Sequence, residues 1–353
     1  MKMHKYLSRR QFIRNTTLGI GATTLSPDFT FSIIKKRSLD ETIIGHGDFR
    51  YKVDKEWGVQ DPLKIPVKDC HEMVQDRSGR ILLLTNEVKN NMIIYEKSGK
   101  VLKTWGYDMP GAHGLTLIDE GGEEFLFITD HVRHQIFKTT LDGKILMTLN
   151  YPVESGVYDS PDKYNPTEIA VAPNGDFYVA DGYGENYIIH YSYDGKYIRH
   201  FGGKGDSEEM FDCCHGVTLD TRQKDKPSLL ITSRSKNEFK RFTLSGEYLE
   251  TIHLPGCWIC RPVIRENNIF FAVIVTKTWD NYDGMVAILD KNNQVISFPG
   301  GSAPIYKNGV LQEPVYDGQT FLNPHDVCID EDENLYIPQW NSERSYPVKL
   351  IRI

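Results

Sequence analysis

Three short turns in the chain share one pattern: Ala112-His113-Gly114-Leu115, Cys214-His215-Gly216-Val217 and Pro324-His325-Asp326-Val327. Each sets an imidazole immediately before an apolar run. Neutral imidazole is a ligand for divalent transition metals. Three of them with a fourth position left open make a catalytic zinc site, with nitrogen–metal distances of about 2.0–2.1 Å. An ion held this way lowers the pKa of bound water or polarises a substrate oxygen, and a neighbouring tyrosine or acid moves the proton. Zinc, or another divalent transition metal, is therefore the expected cofactor. The plainer alternative is that His and Gly only cap a strand entrance with hydrogen bonds.

More than 100 residues separate each of these histidines from the next, so only a repeating architecture brings them together. A repeat is present. Its clearest copy runs from Ile169 through Asn174-Gly175 to Asp181, then Tyr187 to Tyr191, then Asp194-Gly195-Lys196 to Gly202. The first copy runs from Met73 through Ser78-Gly79 to Leu84, then Met92 to Tyr95, then Ser98-Gly99-Lys100 to Trp105-Gly106; others begin at Leu115, Val217, Val263 and Val327. Each copy holds four short runs of alternating apolar and polar residues between Gly, Asp or Asn turns, the form of a four-stranded antiparallel blade. A single blade cannot bury both faces, so the copies pack around an axis. The expected fold is all-β, a six-bladed β-propeller over residues 45–353. The last copy stops at Ile353 one strand short, and Phe49 to Trp57-Gly58 matches the closing strand Lys103-Thr104-Trp105-Gly106. This N-terminal strand is predicted to complete the last blade, closing the ring and removing its exposed edges.

On that frame the positions that open the six copies are His71, His113, Thr167, His215, Arg261 and His325. Innermost strands line the channel, so four imidazoles and one guanidinium should meet at one height. Blades two, four and six alternate around the ring, which gives His113, His215 and His325 a pseudo-threefold convergence. Arg261 is expected either to contact an anionic substrate group or to pair with a carboxylate across the channel. Asp69, Glu72 and Glu168 stand beside ring positions as acceptors for imidazole N–H groups.

The remaining features bound the class. The 353 residues carry 41 basic and 48 acidic side chains, a net charge of −7, which argues against a nucleic-acid partner. Residues 1–35 read as a twin-arginine signal peptide and linker, with Arg9-Arg10 in Ser8-Arg9-Arg10-Gln11-Phe12 and a mildly apolar run from Thr16 to Leu25. That run is too short to span a bilayer, and no membrane span is expected in the mature chain. Residues 1–30 hold five basic groups and one acid, so without them the charge becomes −11. Export places the protein in the periplasm or outside a bacterial cell, where Cys70, Cys213, Cys214, Cys257, Cys260 and Cys328 could form disulfides. Cys257-Trp258-Ile259-Cys260 has zinc-ribbon spacing but no second Cys-x-x-Cys; buried thiols or one disulfide are the expectation there.

The histidine turns, with Pro166-Thr167-Glu168-Ile169 leading to Asp181-Gly182-Tyr183 and Leu335-Tyr336-Ile337 after Pro324-His325-Asp326, resemble the NHL-repeat propellers. Within these they resemble the peptidyl-α-hydroxyglycine α-amidating lyases, over roughly residues 65–345. The resemblance implies zinc on His113, His215 and His325, a catalytic tyrosine at Tyr183, and an active-site arginine at Arg234. It also implies a structural calcium in the channel on Met73, Leu115 and Asp326. This chain departs from the pattern at several places. The family's other arginine aligns near Thr85-Asn86-Glu87, where none stands; Asn323 replaces a methionine, Gly184 replaces a cysteine, and His71 and Arg261 are additions.

The expected function is thus a metal-dependent lyase or hydrolase acting on a small-molecule, peptide or carbohydrate-derived substrate at the mouth. The expected site comprises His71, His113, His215 and His325 on the metal, with Tyr183, Arg234 and Arg261 as catalytic groups. A monomer is expected. The alternatives are a non-enzymatic NHL scaffold and a lactonase-like hydrolase.

Overall fold

The computed structural model describes residues 42–276, 278, 281–316 and 320–353. The twin-arginine segment lies outside them. The described residues form one unit from Glu41 to Ile353.

Six antiparallel sheets make the six blades. Blade one is Cys70–Gln75, Ile81–Thr85, Met92–Tyr95 and Val101–Trp105. Blade two spans Ala112–Glu120 to Ile145–Leu149, blade three Glu168–Val171 to Tyr197–Gly202, blade four Val217–Asp220 to Tyr248–His253, and blade five Val263–Arg265 to Val295–Ser297. Blade six begins with Cys328–Ile329, Leu335–Ile337 and Val348–Arg352, and takes its next strand from Phe49–Asp54. The register sets Val53 opposite Leu350 and Tyr51 opposite Arg352. This is the closure predicted from the short last copy. A fifth strand, Ile43–His46, pairs outside it, two residues before the predicted start of the domain.

Middle strands such as Ile81–Thr85 and Ser228–Ser233 are buried at every position, whereas outer strands such as Val101–Trp105 are partly exposed. Between consecutive blades lies one apolar cluster, so that among the described residues there are six clusters for six interfaces. The seam where the chain ends meet holds Trp57, Tyr95 and Tyr336, and the opposite region holds Phe211, Phe242 and Val217. Truncating such a side chain to alanine typically costs about 3–5 kcal/mol.

The matched Trp-Gly pairs explain how neighbouring blades interlock. The Trp57 indole donates to the Lys97 carbonyl at 3.0 Å and Trp105 donates to Leu141 at 3.1 Å. Each indole lies flat on the turn of the next blade. Gly99 (φ +92°) and Gly143 (φ +94°) occupy that turn, and a Cβ there would stand 3.2 Å from the Trp57 ring or 2.8 Å from that of Trp105. Only glycine allows both the backbone angle and the stacking. No described helix is long and apolar enough to cross a membrane.

Candidate metal centre

The first strands of the blades line the channel, and their entrances deliver the predicted histidines to one place. Two residues before His215 and His325 the backbone turns left-handed, at Cys213 (φ 59°) and Asn323 (φ 51°). Asparagine tolerates that region better than most residues, which gives a reason for Asn323 where the resemblance expects methionine. The carbonyl of Cys213 then accepts from both His215 and Arg234 main-chain N–H groups, fixing the kink.

Nε2 of His113 and Nε2 of His215 lie 3.1 Å apart. The Tyr183 hydroxyl is 3.1 Å from each of them. His325 stands with its ring centroid 4.7 Å from that of His113 and 4.9 Å from that of His215. His71 completes the group at 4.7 Å from His113 and 4.8 Å from His325. All four imidazoles are at most 3% exposed.

The outer nitrogens are held in a way that frees the inner ones. Nδ1 of His113 donates to the Thr167 carbonyl and Nδ1 of His325 to the His71 carbonyl, both at 2.9 Å. Each Nε2 therefore presents a lone pair to the cluster, the arrangement that orients metal-binding histidines. Nε2 of His325, both nitrogens of His71 and Nδ1 of His215 have no hydrogen-bond partner. Buried polar atoms left this way are costly unless something satisfies them. Burial pushes the His113, His215 and His325 pKa values well below the usual imidazole range and that of His71 to about 3. The rings are thus neutral at ordinary pH, as ligands must be. Clustered nitrogen donors suit zinc, copper or iron.

Asp69, Glu72 and Glu168 do not accept from the imidazoles. Main-chain carbonyls fill that role. Asp69 instead pairs with Asn86, whose amide donates to its carboxylate at 2.8 Å. Glu72 and Glu168 turn toward Arg261.

Arg261 leaves the imidazole level and points along the channel. Its Nε and Nη2 donate to the Asp326 carboxylate at 2.8 and 2.9 Å. Nη1 donates to the Leu115 carbonyl at 2.9 Å and lies 3.1 Å from Glu72; Nη2 also donates to the Met73 carbonyl at 3.2 Å. Glu168 stands 3.6 Å from Nη1. A guanidinium has five N–H donors; four hydrogen bonds and two further carboxylate contacts hold it here. The expectation that Arg261 contacts an anionic substrate is corrected: it is the cross-channel ion pair. The implied calcium is corrected with it. Met73, Leu115 and Asp326 do gather at one point, but the guanidinium occupies that point, and a calcium ion does not fit while Arg261 is there. Below it opens a channel cavity of about 1010 Å³ lined by Arg261, Met73, Thr116 and Val327 but by none of the four imidazoles.

On the mouth side, Tyr183 is 41% exposed while its hydroxyl reaches inward. Burial raises its pKa, and the neighbouring Arg234 guanidinium opposes that rise. Arg234 is 2% exposed and donates to the Ile259 carbonyl at 2.9 Å and to the Cys260 sulfur at 3.2 Å. The Tyr183 turn is set by Asp181, which accepts from Asn165 N–H at 2.6 Å, Glu185 N–H at 2.7 Å and the Tyr158 hydroxyl at 3.0 Å.

Two further residues stand near the centre: His131, which the sequence pattern does not single out, and Cys260, which it marks only as part of the Cys257–Cys260 pair. His131 has its ring 5.5 Å from Tyr183 and 6.0 Å from His113; it follows the second strand of blade two, as Tyr183 and Arg234 follow theirs in blades three and four. Cys260 offers its sulfur within 4.8 Å of ring nitrogens of His215 and His325. All six cysteines are free thiols; Cys257 faces the core between blades four and five, away from Cys260.

No family model matches the chain. Peptidyl-glycine alpha-amidating monooxygenase B of Xenopus laevis is 24% identical over 263 residues, covering 70% of this chain and 27% of that protein. Peptidyl-alpha-hydroxyglycine alpha-amidating lyase 1 of Drosophila melanogaster is 40% identical over 122 residues, 33% of this chain and 21% of that one. NHL repeat-containing protein 3 of Homo sapiens is 28% identical over 175 residues, 47% and 48% respectively. The chain thus spans from about a fifth to about a half of the length of these relatives. Among solved structures, a streptogramin B lyase superposes with a TM-score of 0.54 at 14% identity, covering 85% of this chain and 97% of that one, a likeness of fold. The chain is a six-bladed β-propeller that is similar to NHL repeat-containing proteins and resembles the peptidyl-α-hydroxyglycine α-amidating lyases.

Proposed function

We propose that the protein is a metal-dependent lyase that cleaves a small α-hydroxy substrate, a peptidyl-α-hydroxyglycine or a close analogue, at the mouth of the propeller. One observation supports this above the others: two imidazole Nε2 atoms 3.1 Å apart, each 3.1 Å from a tyrosine hydroxyl. His113, His215 and His325 would hold the ion, with His71 adjoining. A divalent ion there supplies Lewis acidity, polarising the substrate oxygen.

The chain's own residues do the rest. Tyr183 relays the proton from the substrate hydroxyl, helped by Arg234, which opposes the rise that burial causes in its pKa. The carbon collapses to a carbonyl, the C–N bond breaks, and the proton passes to the departing amide nitrogen. Arg234, 2% exposed, acts through Tyr183 rather than meeting solvent, by offsetting part of the pKa rise that burial imposes on the tyrosine. Arg261 takes no part. Export by the twin-arginine route and a monomeric state belong to the same reading, the first supported by Arg9-Arg10 and its flanking residues.

The test combines metal analysis with turnover. The purified protein should hold about one zinc per chain, lost in His113→Ala, and should release amide from an α-hydroxyglycine peptide. Tyr183→Phe should keep the zinc and lose about 10²–10⁴-fold in rate. Protein free of zinc, or a Tyr183→Phe variant of undiminished rate, would overturn the proposal.

A further inference from the structure

The imidazole cluster has a sulfur at its edge. We infer that Cys260 is a thiolate ligand of the metal, so that the centre is a mixed nitrogen–sulfur site and not the all-imidazole site read from sequence. The inference rests on the metal reading above and deepens it.

The ligand atoms of His215, Cys260 and His325 lie within 4.8 Å of one another, as do those of His71, His113 and His325. The two groups share His325, whose Nε2 is buried without a partner. An ion held at that nitrogen would have both the Cys260 sulfur and the other imidazoles close by. Cys260 is fully buried, so water does not compete for its sulfur.

Arg234 donates to the sulfur from Nη2 at 3.2 Å, which fixes where the sulfur stands; coordination to the ion is what would remove its proton, since a coordinating thiol is deprotonated by the metal. Its own S–H has a weak outlet, the Pro324 carbonyl at 3.8 Å. The other half of the Cys-x-x-Cys spacing faces a different environment, since Cys257 packs among Leu254, Phe298 and Leu311. Cys260 therefore does not belong to a zinc ribbon. It packs in the cluster between blades five and six, one residue before Arg261, where its sulfur comes within 4.8 Å of ring nitrogens of His215 and His325. A thiolate in the set biases the site toward softer ions and against calcium, magnesium and manganese.

Cobalt(II) is the probe, because thiolate-to-cobalt charge transfer absorbs in the near ultraviolet while d–d bands in the visible report any tetrahedral site. Cobalt-loaded wild-type protein should show both features. Cys260→Ser should keep the d–d bands and lose the charge-transfer band, and Cys257→Ser should keep both. Visible bands without charge transfer in the wild type would overturn the thiolate and leave the imidazole site standing. Persistence of the charge-transfer band in Cys260→Ser would overturn it as well. Absence of all cobalt bands would remove the metal reading itself, and this inference with it. The wild-type spectrum decides even if a variant fails to fold.

Discussion

Two groups of buried polar side chains are stacked along the channel, and they differ in kind. At the mouth, four buried imidazoles face one another with several nitrogens unpartnered, a set of nitrogen donors. One level down, Asp326, Glu72, Glu168 and two carbonyls gather around Arg261, so the chain has assembled oxygen ligands and supplied the cation itself. Nitrogen donors with small separations suit a transition metal, whereas a set of carboxylates and carbonyls suits a hard ion such as calcium. A tethered guanidinium in the second site means that the core of the ring requires no exogenous ion. The difference between the sites is whether a covalently attached charge reaches the donors.

The largest effect should come from unplugging the lower site. Arg261→Ala strands buried carboxylates and should cost about 3–5 kcal/mol of stability by denaturant unfolding. Added calcium should restore part of that loss, while leaving the wild type unmoved. A variant indifferent to calcium, or a wild type destabilised by chelation of calcium, would break the comparison.

Emptying the upper site should be milder for the metal-free fold. His325→Ala removes one Nδ1 hydrogen bond to the His71 carbonyl, worth about 0.5–1.5 kcal/mol, because its other nitrogen has no partner. Zinc should raise the melting temperature of the wild type but not of this variant. At a free zinc concentration 100 times the dissociation constant, that stabilisation is about 2.7 kcal/mol. An equal response in both would show that the ion binds elsewhere.

A buried acid away from both groups sharpens the contrast, with the smallest effect. Asp181 is held by hydrogen bonds without a cation, and burial raises its pKa to about 7 against those bonds. Between pH 4 and 7 the folded protein keeps this proton while the unfolded chain releases it, so stability should fall as pH rises through that window. Asp181→Asn should flatten this part of the stability profile measured by denaturant titration. An unchanged slope would show that the carboxyl is already ionised in the folded protein.

Much of the fold is legible in the chain because a propeller is a local pattern repeated. Strand alternation, Asp-Gly turns and the match of Trp57-Gly58 to Trp105-Gly106 each depend on neighbours within a few residues. The histidine ring is legible for the same reason: equivalent positions in equivalent blades fall at equivalent heights. His71 joined it despite its different turn.

Direction of side chains was decided only in three dimensions. Arg261 occupies a ring position by alignment, yet the carboxylates of blades one, three and six draw its long side chain down the axis. Met73, Leu115 and Asp326 do meet, but the charge already lodged among them excludes a metal. Cys260 sits one residue off the ring pattern, where alternation alone would send it into the blade interface, and its nearness to His215 and His325 follows from how blades four to six pack. Sequence determines which residues stand at each level, since that is set by repeat spacing. Which donors share a cation is set by Coulomb attraction and reach across the channel, between residues such as Met73 and Arg261, 188 positions apart, and only the closed ring brings them within range.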